Sequence, residues 1–204
     1  IGGLDKLTLL HHLMRVCRLP DLKFEKFFVN MRSLILTNLD NFKSTPEFIH
    51  FLSNLSLHCF INEYIYFEKD EETKLIKSLE AEIMETIEKL EQPEAKKILC
   101  LASYRPLHQY NWCQKLEVLD HLEEVKERLI EQPLAEMTLK KDISILAGIS
   151  NEISLEVREQ YEENPYPRWV KLTIPTKAQS VSKICDDVKL KLHSENIKEI
   201  SAPK

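Results

Sequence analysis

Seven histidines, five cysteines and 33 acidic residues could supply catalytic groups, yet their spacing assembles few sites. Only His11 and His12 adjoin, and no His-Glu-x-x-His pattern occurs, so no metal site is signalled. Cys17, Cys59, Cys100, Cys113 and Cys185 are odd in number and far apart, without a Cys-x-x-Cys pair. They read as reduced thiols in a cytoplasmic setting. Glu123-Glu124 and Glu162-Glu163 are adjacent acids. Neighbours on a helix point about 100° apart, so neither pair can face one substrate as general acid and base; a solvated face is the expectation. The serines lack the glycine-flanked strand-turn-helix setting of an acyl-transfer nucleophile.

Three stretches resist a bland reading. Cys59-Phe60-Ile61-Asn62-Glu63-Tyr64-Ile65-Tyr66 sets a polar pair inside an apolar surround. Asn62 and Glu63 there need hydrogen-bond partners, as a buried polar tether between helices would supply. Ala102-Ser103-Tyr104-Arg105-Pro106-Leu107-His108 reads as a helix end followed by a fixed turn. Glu159 to Trp169 is the third: Pro165 and Pro167 hold Tyr166 between rigid neighbours. With Tyr161, Asn164, Arg168 and Trp169 this makes a stiff strip that loses little entropy on docking.

The elements that must position these residues read as helices. Apolar side chains recur at helical spacing from Leu7 to Val16, and a broader stripe over Leu22 to Ile35 predicts a central helix packed on more than one side. Ser44-Thr45-Pro46-Glu47 predicts a helix start whose helix runs on through Phe60 and Tyr64. Acidic residues 68–74 open a long amphipathic helix ending near Leu90. Shorter helices are predicted at 94–103 and 114–130, the latter closed by Pro133. Gly148 predicts a helix stop, 152–161 one more helix, 172–178 a linker and 177–193 a last helix. No repeat period emerges. The expectation is an all-α, irregular bundle of about seven to nine helices: a bundle domain over 1–160, then a docking segment and terminal helix over 161–204.

Composition narrows the function. Three glycines, with Gly148 the one internal example, leave no material for phosphate-cradling loops or dinucleotide fingerprints. A net charge of -5 without long basic runs argues against a nucleic-acid partner. No apolar stretch is long enough to predict a membrane span.

At the three stretches the sequence resembles the region upstream of the catalytic domain in bacterial class I S-adenosylmethionine-dependent methyltransferases, some of which carry tetratricopeptide repeats. Gln160-Tyr161-Glu162-Glu163-Asn164-Pro165-Tyr166-Pro167-Arg168-Trp169 is similar to that family's most recognisable segment, and Phe60 to Tyr64 and Tyr104 to His108 to two weaker ones. The resemblance spans roughly residues 7–175 and implies that a Rossmann-like domain with a glycine-rich, cofactor-binding loop follows. Lys204 falls about where its first strand would begin, so S-adenosylmethionine is expected for the parent protein and no cofactor site in this chain. The resemblance implies a substrate- or partner-recognition region, not catalytic alone, whose partners are the downstream domain and a protein substrate. Asn62, Glu63, Tyr64, Tyr161, Asn164, Tyr166, Arg168 and Trp169 are the candidate interaction residues. The alternative is a stand-alone helical interaction module, an adaptor or effector.

Overall fold

The computed structural model describes residues 6–142 and 179–187, with single positions 3, 157 and 189. These residues are helical, with no strand among them, and their α-helical segments number eight. That matches the all-α bundle expected from periodicity. The chain divides into two compact units, Ile1–Val170 and Lys171–Lys204.

In the first unit, α1 (Thr8–Val16), α2 (Leu22–Thr37), α3 (Pro46–Ile61), α4 (Asp70–Glu88) and α5 (Ala95–Ala102) follow in order. Local chemistry sets their starts. The Asp21 carboxylate accepts from the Lys23 and Phe24 amides (2.8 and 3.4 Å), and the Thr45 hydroxyl accepts from the Phe48 amide (3.3 Å) ahead of Pro46. Each satisfies amides that have no partner within the helix. Asp70, Glu71 and Glu72 occupy the first turn of α4, where the helix dipole favours negative charge.

The central helix is α3. From Phe51 to Ile61 every residue is buried, with α1 and α5 packed against it. Each fully buried Leu, Ile or Phe there contributes roughly 1.5–3 kcal/mol. This corrects the expectation for α2, which buries Phe28, Arg32, Ile35 and Leu36 on one side but leaves Leu22, Phe24 and Leu34 exposed. Its apolar stripe is wider than the partners available to cover it.

Helix ends show what glycine scarcity does to the backbone. Behind α3 the Tyr64 amide donates to Cys59 O and the Glu63 amide to Phe60 O, both at 3.0 Å. That reciprocal pair needs a left-handed residue at its turn, a place usually taken by glycine. Glu63 fills it at φ 50°, and Tyr64 follows at φ 56°. Hence α3 stops at Ile61 and does not continue to Tyr64 as its apolar spacing predicts. The same device closes α4, where Leu90 stands at φ 61° and 95% exposed. A left-handed non-glycine residue costs roughly 1–2 kcal/mol, and glycine returns part of that as unfolded-chain entropy. Leu90→Gly should therefore raise stability by about 1 kcal/mol in urea titration; a loss of stability would refute the strain.

After α5, three short 3-10 turns at Leu107–Gln109, Cys113–Lys115 and Glu117–Leu119 lead to α6 (Glu123–Lys126). A π turn, Glu127–Glu131, joins α6 to α7 (Gln132–Leu139) in one helical run. Two expectations are corrected here. The helix begins at Glu123 instead of 114, and Pro133 does not close it. Proline lacks an amide for the preceding turn, and the widened π turn just before it accommodates that lack. In the second unit α8 (Val181–Asp187) is the described part of the predicted last helix, with the Ser180 hydroxyl accepting from the Lys183 amide at 3.2 Å. The helix stop at Gly148, the 152–161 helix and the 172–178 linker lie outside the described residues, Val157 alone excepted.

Candidate functional site

Two of the three singled-out stretches, far apart in sequence, meet around a buried arginine. Arg32 of α2 is 2% exposed. Its guanidinium donates to the carbonyls of Ser103 (3.3 Å), Tyr66 (3.2 Å) and Phe67 (2.8 Å), and its central carbon lies 4.0 Å from the centroid of the Tyr104 ring. Arginine fits because its planar fork reaches several acceptors while its flat face stacks on an aromatic. One side chain thus ties α2 to the segments that follow α3 and α5.

Tyr104 extends the network. Its hydroxyl donates to Glu72 Oε1 at 2.7 Å, and Glu72 Oε2 accepts the Lys69 amide at 3.0 Å. Burial, then the bond to Glu72, holds the Tyr104 hydroxyl protonated far above its ordinary range. At the rim Arg105 forks onto Glu68 (2.7 and 2.8 Å), and the Thr73 hydroxyl donates to the same carboxylate. Arg105's hydrogen bonds hold the Glu68 carboxyl below its usual range.

The other side of the network is built on His58, fully buried in α3. The Asn62 amide nitrogen donates to the His58 carbonyl (2.8 Å), which fixes its orientation and turns its N–H groups toward His58 Nε2 at 3.3 Å. The Tyr66 hydroxyl sits 2.7 Å from the same nitrogen. The Asn62 amide nitrogen can only donate, so it marks this ring nitrogen as an acceptor, with the Tyr66 hydroxyl free to donate to it and the proton of neutral His58 on Nδ1. Burial pulls its pKa down to about 4; a backbone contact with Met14 of α1, too loose for a full hydrogen bond, acts the other way.

Asn62 is therefore a helix-end residue that orders His58, and Glu63 and Tyr64 are the left-handed turn behind it, both half-buried. Among the described residues the Asn62 side chain bonds to His58 of its own helix, where a tether between helices was expected. Tyr161, Asn164, Tyr166, Arg168 and Trp169 lie outside the described residues. Periodicity did not single out Arg32, His58 or Glu72, although each puts a polar group on an apolar helix face: Arg32 falls in phase with Phe28 and Ile35, and Glu72 with Ile76 and Leu79.

The arrangement suits cohesion better than catalysis. Cys59 and Cys100 lie buried near Arg32, and burial pushes both thiols up to about 12, where they are poor nucleophiles. Among the described residues no group of three His, Cys, Asp or Glu could hold a metal ion. A separate cleft of about 420 Å³ opens between α1, α3 and α6, floored by Ile49, Leu57, Leu122 and Val125. Its polar groups are largely committed to one another: Arg15 pairs with Glu124 at 2.7 Å, and Ser53 donates to Ile49 O at 2.8 Å.

No family model matches the chain, and no curated protein and no solved structure matches it either. No helix among the described residues is long and apolar enough to cross a membrane.

Proposed function

We propose that this chain is a helical recognition region that serves a separate catalytic domain, of the S-adenosylmethionine-dependent methyltransferase kind its motifs resemble. The supporting observation is the fate of the polar residues in the two described motif stretches. Tyr66, Tyr104 and Asn62 are spent on internal hydrogen bonds that fix helix ends around Arg32. Such residues keep a scaffold in shape and leave chemistry to another domain. All five cysteines are free, which fits a reducing compartment, and we assign the protein to the cytoplasm on that ground.

Calorimetry tests this. S-adenosylmethionine titrated into the 204-residue chain should give no binding heat, and titrated into a chain extended by the downstream domain it should bind. Tight binding by the 204 residues alone would overturn the proposal.

A second reading, a stand-alone adaptor or effector module, is favoured by the uncovered face of α2. Phe24 and Leu34 are exposed there, Phe27 and Met31 half-buried, at the 3-4-3 spacing of one helix stripe. That stripe is apolar surface left for a protein partner. A coding frame that closes at Lys204 would select this reading over the first.

A further inference from the structure

We propose that α1 is an acid-releasable latch, held on α3 by two histidines that must both be uncharged. This inference is independent of which protein or domain the chain serves. Of α1's nine residues only His11 and Met14 are buried. Its outer side leaves Leu9 and Val16 exposed, and Leu7 before it supplies no side-chain cap. Met14 is fully buried and Leu10 packs half-buried against the core, so the docking of α1 joins a modest apolar contact to its polar contacts with α3.

Those contacts are specific about protons. The Asn54 amide nitrogen donates to the His50 carbonyl at 2.7 Å, which fixes the amide's orientation. The same nitrogen lies 3.2 Å from His11 Nδ1, so that ring nitrogen has to be an acceptor. A proton on His11 Nδ1 would set N–H against N–H across the helix interface. It would also put charge into a ring stacked 4.9 Å from His50. Eight residues further along the chain the pattern recurs: the Asn62 amide approaches His58 Nε2 at 3.3 Å with the Tyr66 hydroxyl 2.7 Å from the same nitrogen, and the His58 ring also meets the backbone of Met14 in α1. Asparagine thus imposes the neutral form of histidine at two places on one helix pair.

The surrounding charges do not favour protonation. Within α1, Arg15 approaches His12 at 3.4 Å. From the α6 run, Glu124 is shared between Arg15 (2.7 Å) and Arg128 (2.9 Å), and Arg128 also donates to Arg15 O at 2.7 Å. From α2, Phe28 lies on His58, and Arg32 stands beyond the Tyr66 ring. Among the described residues the carboxylate paired with α1 is Glu124, and two arginines share it. Acid would lift α1, widen the cleft beside it and expose the α3 surface under Met14, while α4 and α5 stay packed.

Hydrogen exchange at pH 7.5 and 5.5, corrected for intrinsic rates, reads this directly. Between pH 7.5 and 5.5, amides 11–17 should lose at least tenfold more protection than amides 76–87 of α4, which report the stability of the whole unit. A His11→Gln/His58→Gln variant, with neutral acceptors that do not titrate, should show no such drop. Unchanged α1 protection in the unaltered chain overturns the proposal. So does an equal loss in α1 and α4, which is general unfolding, or a double variant that keeps the full drop. If the double variant fails to fold, the comparison on the unaltered chain decides alone.

Discussion

Arg32→Met is expected to cost about 3–5 kcal/mol of stability, the range found when one member of a buried charged network is deleted. The side chains are close in length, so the loss is chiefly that of the guanidinium and not of packing. The carbonyl oxygens of Ser103 and Tyr66 would lose their donor in places water reaches poorly, while that of Phe67, an exposed residue, can turn to water. Each unsatisfied group costs roughly 1–3 kcal/mol before relaxation. Glu72, 2% exposed, would also lose the positive charge beyond Tyr104. Arg32→Lys restores charge but neither the fork nor the stack on Tyr104, and should fall between the two. The check is chemical denaturation of all three proteins. At about 2–4 °C per kcal/mol for a unit of this size, Arg32→Met should melt roughly 10 °C lower. A shift under about 2 °C would mean that the guanidinium is a passenger and that apolar packing alone joins the two stretches.

That network also shows where sequence reasoning reaches and where it stops. The amphipathic α4 and the capped start of α3 follow from spacing and from Thr45-Pro46, because propensity, capping and burial agree there. The end of α3 was hidden, since its left-handed turn is carried by Glu63 and no glycine announces it. Leu116, Leu119 and Leu122 recur every third residue, a period that 3-10 turns satisfy as well as an α-helix does, and the structure puts two such turns over 113–119. Asn62 was rightly read as needing partners, but which partners depends on how α2, α3 and α5 cross. Arg32 illustrates the limit: in sequence it is one cation in an amphipathic stripe, and only the packed bundle converts it into the centre of a site.

Acid should weaken the whole unit through His58 even before α1 is considered. The sign follows from the direction of its shift. Folded, His58 holds its proton only near pH 4 and below; unfolded, it takes one near 6.5. Between those values the unfolded chain binds more protons, so stability is complete above about pH 6.5 and falls as pH drops toward 4. The shift of 6.5 − 4 = 2.5 units corresponds to about 3 kcal/mol lost across that window, at 1.36 kcal/mol per unit. Glu68 adds to the loss at lower pH, because its carboxyl is held below its usual range by Arg105 and that tie fails on protonation. Urea unfolding at half-unit steps from pH 7.5 to 4 measures the curve, and His58→Gln supplies the control. The Gln variant, whatever its stability at pH 7.5, should lose about 3 kcal/mol less than the parent over the same range. Parallel curves for the two proteins would show that His58 shares its proton affinity between folded and unfolded chains, and the burial argument for the Asn62-His58-Tyr66 cluster would be lost.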